Sequence, residues 1–125
     1  MKNGDSIKTQ AQAVVYFIQQ LDIDMVDTLL DDTREYQDMK KEIFINKLGH
    51  AMNEFIESGD TYLNISHGFC DSVICNYKCK GISFVGNLSG NFIDLIIEIV
   101  GGCVFDIYEC SHFKCNKGII KKKKN

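Results

Sequence analysis

The side chains in this 125-residue chain best suited to chemistry are its six cysteines, Cys70, Cys75, Cys79, Cys103, Cys110 and Cys115, all in the second half. Three of them lie in the run His67-Gly68-Phe69-Cys70-Asp71-Ser72-Val73-Ile74-Cys75-Asn76-Tyr77-Lys78-Cys79, spaced C-x4-C-x3-C. Thiolates suit zinc, a borderline-soft ion that takes four nitrogen or sulfur ligands in a tetrahedron. The spacing approaches that of metal ligands without being the C-x2-C knuckle of a zinc ribbon. Three ligands from one stretch leave a fourth to come from elsewhere, with Cys103, Cys110 and the neighbouring His67 as candidates. Two other readings compete. Reduced cysteines behave as small buried hydrophobes. Disulfides rank last, because the start Met-Lys-Asn-Gly-Asp-Ser-Ile-Lys carries no apolar leader segment and secretion is the usual setting for such bonds. A cytoplasmic location is the matching expectation.

Other reactive side chains form weaker patterns. His50 falls in a helical segment beside Gly49 and reads as a solvated helix residue, and His112 reads as a strand-end surface residue. Neither belongs to a Cys-His or Ser-His-Asp arrangement. Asp94, Asp106, Tyr108 and Tyr62 fall in strand-like segments. A carboxylate among them could act as a general base if an apolar pocket raised its pKa, but outward-facing strand positions account for them equally. Gly86 and Gly90 flank a hairpin turn rather than opening a helix, so they make no phosphate loop.

These residues must be positioned by two kinds of element. From about Thr9 to Leu21 apolar residues recur at Ala13, Val14, Phe17, Ile18 and Leu21, the stripe of an amphipathic helix. Asp22 or Asp24 can cap a shorter helix through Met25, Val26, Leu29 and Leu30. The polar segment Asp31 to Lys41 reads as a connection with at most one helical turn. A stronger helix runs from about Lys41 to Ser58 on Phe44, Leu48, Met52 and Phe55, with Gly59 as its stop. Beyond Asp60 the rhythm changes, and Thr61–Ser66, Lys80–Asn87, Phe92–Val100 and Val104–Cys110 read as strands joined by the turns Leu88-Ser89-Gly90-Asn91 and Gly101-Gly102. Helices first and strands afterwards define an α+β fold, with N-terminal helices packed on a curved antiparallel meander. In a simple meander the cysteine stretch and the Gly101-Gly102 turn share one end of the sheet. That makes Cys103 the nearest distant thiol, while Cys110 reaches the stretch only if the sheet coils strongly.

Composition bounds the rest. An apolar content of 45% and a charged content of 25% are those of a globular protein. One domain over residues 1–120 is expected, followed by a disordered lysine tail at 121–125. No apolar run approaches the ~20 residues needed to span a bilayer. The formal charge of −3 includes four lysines at 121–124, so the remainder carries −7. An acidic body argues against a nucleic-acid groove. The segment Phe92–Val100 is apolar on both faces, which calls for cover on both sides: helices with a cavity, or a partner subunit in a homodimer formed through the sheet.

The order of elements, with Leu21-Asp22-Ile23-Asp24-Met25-Val26-Asp27-Thr28-Leu29-Leu30-Asp31-Asp32 after the first helix and a long helix ending at Gly59-Asp60 before the meander, resembles the nuclear transport factor 2-like (cystatin-like α+β) superfamily. The resemblance implies a cone-shaped sheet and a cavity between sheet and helices open to a small apolar ligand. Two features depart from it. Thr33 to Lys41 is too short and polar for the strand pair expected between the second and third helices, and the cysteine stretch is foreign to the pattern. The second half also resembles small bacterial proteins in which a cysteine-rich loop precedes Lys80-Gly81-Ile82-Ser83-Phe84-Val85-Gly86-Asn87 and the chain ends in Asp106-Ile107-Tyr108-Glu109-Cys110. That pattern nominates Cys110 as the fourth ligand beside Cys70, Cys75 and Cys79. The functions expected are a small-ligand or protein-binding module, a cavity enzyme of the isomerase or dehydratase type, or a thiol or metal sensor.

Overall fold

A computed structural model describes residues 7–70, 80–109 and 113–115, with backbone alone at 69, 70, 80 and 113–115. Helices α1 (Gln10–Gln19) and α2 (Ile23–Leu29) lead to a two-stranded hairpin, β1 (Glu35–Tyr36) and β2 (Met39–Lys40), and then to α3 (Lys41–Glu57). Strands β3 (Leu63–Cys70), β4 (Lys80–Gly86), β5 (Phe92–Val100), β6 (Cys103–Glu109) and β7 (Phe113–Cys115) follow. The α+β class and the antiparallel meander hold. The hairpin corrects the reading of Asp31 to Lys41 as a connection and of Thr33 to Lys41 as too short and polar for a strand pair, and β7 is an addition. Gln37 and Asp38 form the hairpin turn with φ of 53° and 61°. Two left-handed residues in sequence match the right-handed twist of the flanking strands, but the usual Asn-Gly is absent, so nothing in the local sequence announces the turn.

The helix ends are built by side-chain caps at their starts and backbone hydrogen bonds at their stops. Thr9 caps α1 reciprocally with Gln12, the Thr9 hydroxyl accepting from the Gln12 N–H and the Gln12 side chain accepting from the Thr9 N–H. At the far end Asp22 N–H donates to Phe17 O and Leu21 N–H to Ile18 O, with Leu21 left-handed at φ 59°. The Asp22 side chain then accepts from Met25 N–H and starts α2. Helix α3 ends the same way: Gly59 (φ 97°) donates to Ile56 O and Asp60 to Phe55 O, the paired bonds of a Schellman stop.

The sheet order is β6-β5-β4-β3-β7. Register rows such as His67–Ile82–Leu95–Glu109 cross β3 to β6. One face carries Leu63, Ile65, Ile82, Phe84, Leu95 and Ile97, which join Val14 and Ile18 of α1, Val26 of α2 and Phe44, Leu48, Met52 and Phe55 of α3 in one core. Tyr36 is fully buried there, its hydroxyl accepting from Asp31 N–H at 3.1 Å. The opposite face bears small residues at Ser66, Gly68, Gly81 and Ser83, yet Gly81, Ser83, Val85 and Ile96 are also buried. The sheet is curled. Only residues 110–112 join β6 to β7, and such a link spans at most ~14 Å, whereas a flat sheet would separate these outer strands by ~19 Å, four spacings of ~4.8 Å.

One buried carboxylate fastens the turn of β4–β5 to the end of α3. Asp60 Oδ1 accepts from Leu88 N–H at 2.8 Å and Ser89 N–H at 2.7 Å, and Oδ2 accepts from the Ser89 hydroxyl at 2.6 Å. Burial pushes the Asp60 pKa up, but the hydrogen bonds from Ser89 and Leu88 outweigh it and hold the carboxyl below its ordinary value. Asn87 Oδ1 adds bonds from the Thr61 and Tyr62 N–H groups. Gly86 passes so close that a β-carbon there would collide with the Asp60 carboxylate. Gly86→Ala is therefore expected to lower stability by about 3 kcal/mol. Asp60→Asn should lower it near neutrality by about 1–3 kcal/mol. A depressed folded pKa means that this stabilisation is present above the unfolded value near ~3.9 and is lost as pH falls through the folded one. Urea melts at a series of pH values check both points: Asp60→Asn should flatten the acid limb of the stability profile. An unchanged acid limb, or a Gly86→Ala protein as stable as the wild type, would remove the clamp.

Candidate functional site

The space between α1 and the helix-facing side of the sheet contains a largely apolar groove of about 470 Å³. Ala11, Val15 and Tyr16 line it from α1, and His67, Ile82 and Ile99 from β3, β4 and β5. Gly102 of the β5–β6 turn and Ile7 close one end, and Thr9, Gln12 and Gln19 give it a polar margin. His67 lies exposed beside it, in register with Ile82. The chemistry is that of a small-ligand site: apolar walls with a few side chains able to orient a polar end.

Three residues of α1, Gln10, Ala11 and Gln19, fix it as a wall of this groove. Gln10 bridges two elements, its Nε2 donating to Leu29 O at 2.7 Å and its Oε1 accepting from Val104 N–H at 2.7 Å. Ala11 N–H donates to Gly102 O at 2.9 Å. Gln19 Nε2 donates to Leu63 O at 3.0 Å. The turn at Gly101 and Gly102 has φ of 59° and 79°, and a β-carbon on Gly102 would press against the Thr9 side chain at 3.2 Å. Glycine here serves both the left-handed turn and the close approach of α1.

Two further cavities have a different character. One of about 510 Å³ is lined by Asp27, Asp32, Arg34, Glu35, Lys40 and Lys41, among others. Lys41 reaches back across it, its ammonium pairing with Asp27 at 3.1 Å and with Asp32 and donating to Leu30 O at 3.1 Å. Burial opposes the Lys41 charge, but the Asp32 and Asp27 carboxylates overcome that and hold its pKa above the ordinary value. The ammonium is thus committed to joining α2 to α3. A smaller cavity of about 200 Å³ between α3 and β5 is lined by His50, Glu54, Lys47, Glu109, Ile93 and Leu95, among others, with Lys47 and Glu109 paired at 3.3 Å.

The residues singled out from sequence divide among several places. Of the nominated zinc ligands, Cys75, Cys79 and Cys110 lie outside the described residues, and Cys70 is placed by its backbone at the end of β3. Cys103 is exposed and unbridged at the start of β6, and His67 borders the groove. Among the described residues no group of three or more His, Cys, Asp or Glu could hold a metal. Asp106 is occupied by Gln37 and Ile107 N–H groups at 2.9 and 2.8 Å. The Tyr108 hydroxyl donates to Glu98 at 3.2 Å, Tyr62 is exposed, and Asp94 lies on the sheet face turned away from the helices. The line-up of Val15, Tyr16 and Gln19 was missed because they flank the apolar stripe of α1 rather than form it. The buried acid Asp60 was missed because beside Gly59 it reads as an ordinary turn residue. No helix among the described residues is long and apolar enough to cross a membrane. Compared with known proteins, the chain matches no family model, no curated protein and no solved structure.

Gln10→Ala tests how the groove wall is held. Two partly buried backbone groups would lose their partner, at a cost of roughly 2–3 kcal/mol, and the Val104 amide should exchange with solvent faster than in the wild type. Unchanged stability and unchanged Val104 protection would show that α1 is held by packing alone.

Proposed function

We propose that this chain is a small-ligand binding module whose groove between α1 and the sheet takes a compact apolar molecule, with the cysteine-rich stretch acting as a zinc-held clasp. The observation that carries the reading is the apolar lining of the groove by Ala11, Val15, Tyr16, Ile82 and Ile99 with His67 at its margin. Binding is favoured over a cavity enzyme by the use already made of the acids. Among the described residues Asp60 is the buried carboxylate, and it serves the β4–β5 turn. Asp94 and Asp106 are not among the groove's lining residues. Membership of the nuclear transport factor 2-like superfamily is part of the same proposal. It is supported by the order of three helices and a meander, and by the β1–β2 hairpin lying between the second and third helices. A cytoplasmic setting accompanies the reduced, metal-binding thiols.

Isotope-labelled protein titrated with indole, cyclohexanol and octanoate checks the groove. At least one of these should shift resonances of Ala11, Val15, Ile82 and Ile99 together, and Val15→Gln should abolish the effect while leaving the fold intact. Shifts scattered over the surface, or none with any of the three, would sink the groove as a binding site.

The homodimer proposal takes a narrower form. Ile96 and Val85, on the face turned from the helices, are already buried within one chain. Among the described residues of the sheet, the large apolar side chains left exposed outside the groove are Val100 and Phe105, by 64% and 45%. Sedimentation should show self-association that Val100→Lys weakens; a strict monomer at high concentration would remove the dimer.

A further inference from the structure

The groove between α1 and the sheet differs from the other cavities in the charge its walls present. The cavity beside Lys41 is lined by Asp27, Asp32 and Glu35 among others, and the one between α3 and β5 by Glu54 and Glu109. Among the described residues lining the groove there is no Asp or Glu, although acids outnumber Lys and Arg by 17 to 14 in the chain. A carboxylate entering the groove meets no like charge on its walls.

The polar margin offers mostly donors. Gln12, Val15, Tyr16 and Gln19 fall on one face of α1, with the two glutamines about 10 Å apart along the helix axis. Gln12 Oε1 is occupied by the Lys8 and Thr9 N–H groups at 2.7 and 3.2 Å, so its amide nitrogen is the part left to meet a guest, as a donor. Gln19 is the exception. Its Nε2 is spent on Leu63 O at 3.0 Å, which leaves an acceptor at that end. His67, exposed at the rim and opposite Ile82, is the lining side chain able to carry a positive charge. Its imidazole donates from one nitrogen when neutral and from both when charged.

We infer that the groove selects carboxylate-headed amphiphiles, medium-chain or arylalkanoic acids, over neutral or cationic molecules of the same size. His67 is the charge partner of the head, and the tail lies over Val15, Ile82 and Ile99. The inference rests on the reading of this groove as a small-ligand site and adds the class of ligand. Complementarity decides it: an ammonium head gains nothing from the imidazole and a hydroxyl gains an ordinary hydrogen bond, whereas a carboxylate gains a charge-assisted one.

Octanoate, octanol and octylamine share one tail and differ in the head. Titrated at pH 6 into the isotope-labelled full chain, octanoate should bind roughly tenfold tighter than octanol, the low end of what a hydrogen bond to a charged group contributes. Octylamine should bind more weakly than either. His67→Gln, which keeps a donor without the charge, should bring octanoate down to the level of octanol. Unchanged octanol binding in that variant shows that the groove is still folded. His67→Glu should reverse the order and place octylamine above octanoate. Octanol or octylamine binding the wild type as tightly as octanoate, or an octanoate preference that survives both substitutions, would overturn the inference and leave the groove standing as a binding site. If none of the three shifts Ala11, Val15, Ile82 and Ile99, the binding site falls and the ligand class with it.

Discussion

A carboxylate buried without a cationic partner among the groups that bind it is expensive unless its oxygens are filled by donors. Asp60 meets that condition with two N–H groups and a hydroxyl from one turn, and the rest of the architecture follows from where those donors come from. The Schellman stop of α3 delivers Asp60 to the sheet in a fixed direction. The β4–β5 turn can satisfy it only if Leu88 and Ser89 sit over the end of α3, and this sets where β4 ends and β5 begins. Gly86 is the corresponding concession in the strand: the carboxylate occupies the place of any side chain there. One polar residue thereby couples the helical half to the sheet half, and Leu63, two strands of register away from the turn's far side, enters the core already aligned with Gly86.

The other junctions repeat the device with different chemistry. Gln10 ties α1 to α2 and β6 through backbone groups, Gln19 ties α1 to β3, and Lys41 ties α3 to the end of α2 through two carboxylates and a carbonyl. Apolar burial supplies the non-directional attraction between helices and sheet, while these amides and charges choose one arrangement among the many that would bury similar area. The groove exists because α1 is held at its two ends, by Ala11 and Gln10 near the β5–β6 turn and by Gln19 at β3, while its middle leaves room between Val15 and Ile82. Its walls are set by polar contacts at its margins together with the packing of Val14 and Ile18 into the core.

The parts of the fold legible in the sequence are those where one period dominates. Phe44, Leu48, Met52 and Phe55 are the buried residues of α3, and Phe92–Val100 is β5 in full, because a stripe repeated over several turns or a run rich in isoleucine and valine leaves little ambiguity. The β1–β2 hairpin escaped because its strands have two residues each and its turn is Gln-Asp. Its left-handed backbone is held from outside, by the bond from Gln37 N–H to Asp106, 69 positions away. Strand β7 escaped for a related reason: Phe-Lys-Cys is too short to show alternation, and only the free edge of β3 makes it a strand. The candidate groove was not legible in the sequence, because Val15, Tyr16 and Gln19 flank the apolar stripe of α1 and only the sheet register brings His67, Ile82 and Ile99 together opposite them.

Curling of the sheet links these omissions. A three-residue connection from β6 to β7 is incompatible with a flat five-stranded sheet, so the outer strands must approach each other. Side chains on the face turned from the helices have to be small where the strands close up, and Ser66, Gly68, Gly81 and Ser83 supply that across the middle strands β3 and β4. The burial of Ser83 and Ile96 on this face shows that it is already enclosed within a single chain. The apolar character of both faces of β5, read from sequence as calling for cover by helices with a cavity or by a partner subunit, is matched by the burial of Leu95, Ile96 and Ile97 within one chain. The same curl brings β7 to the free edge of β3 across only three connecting residues.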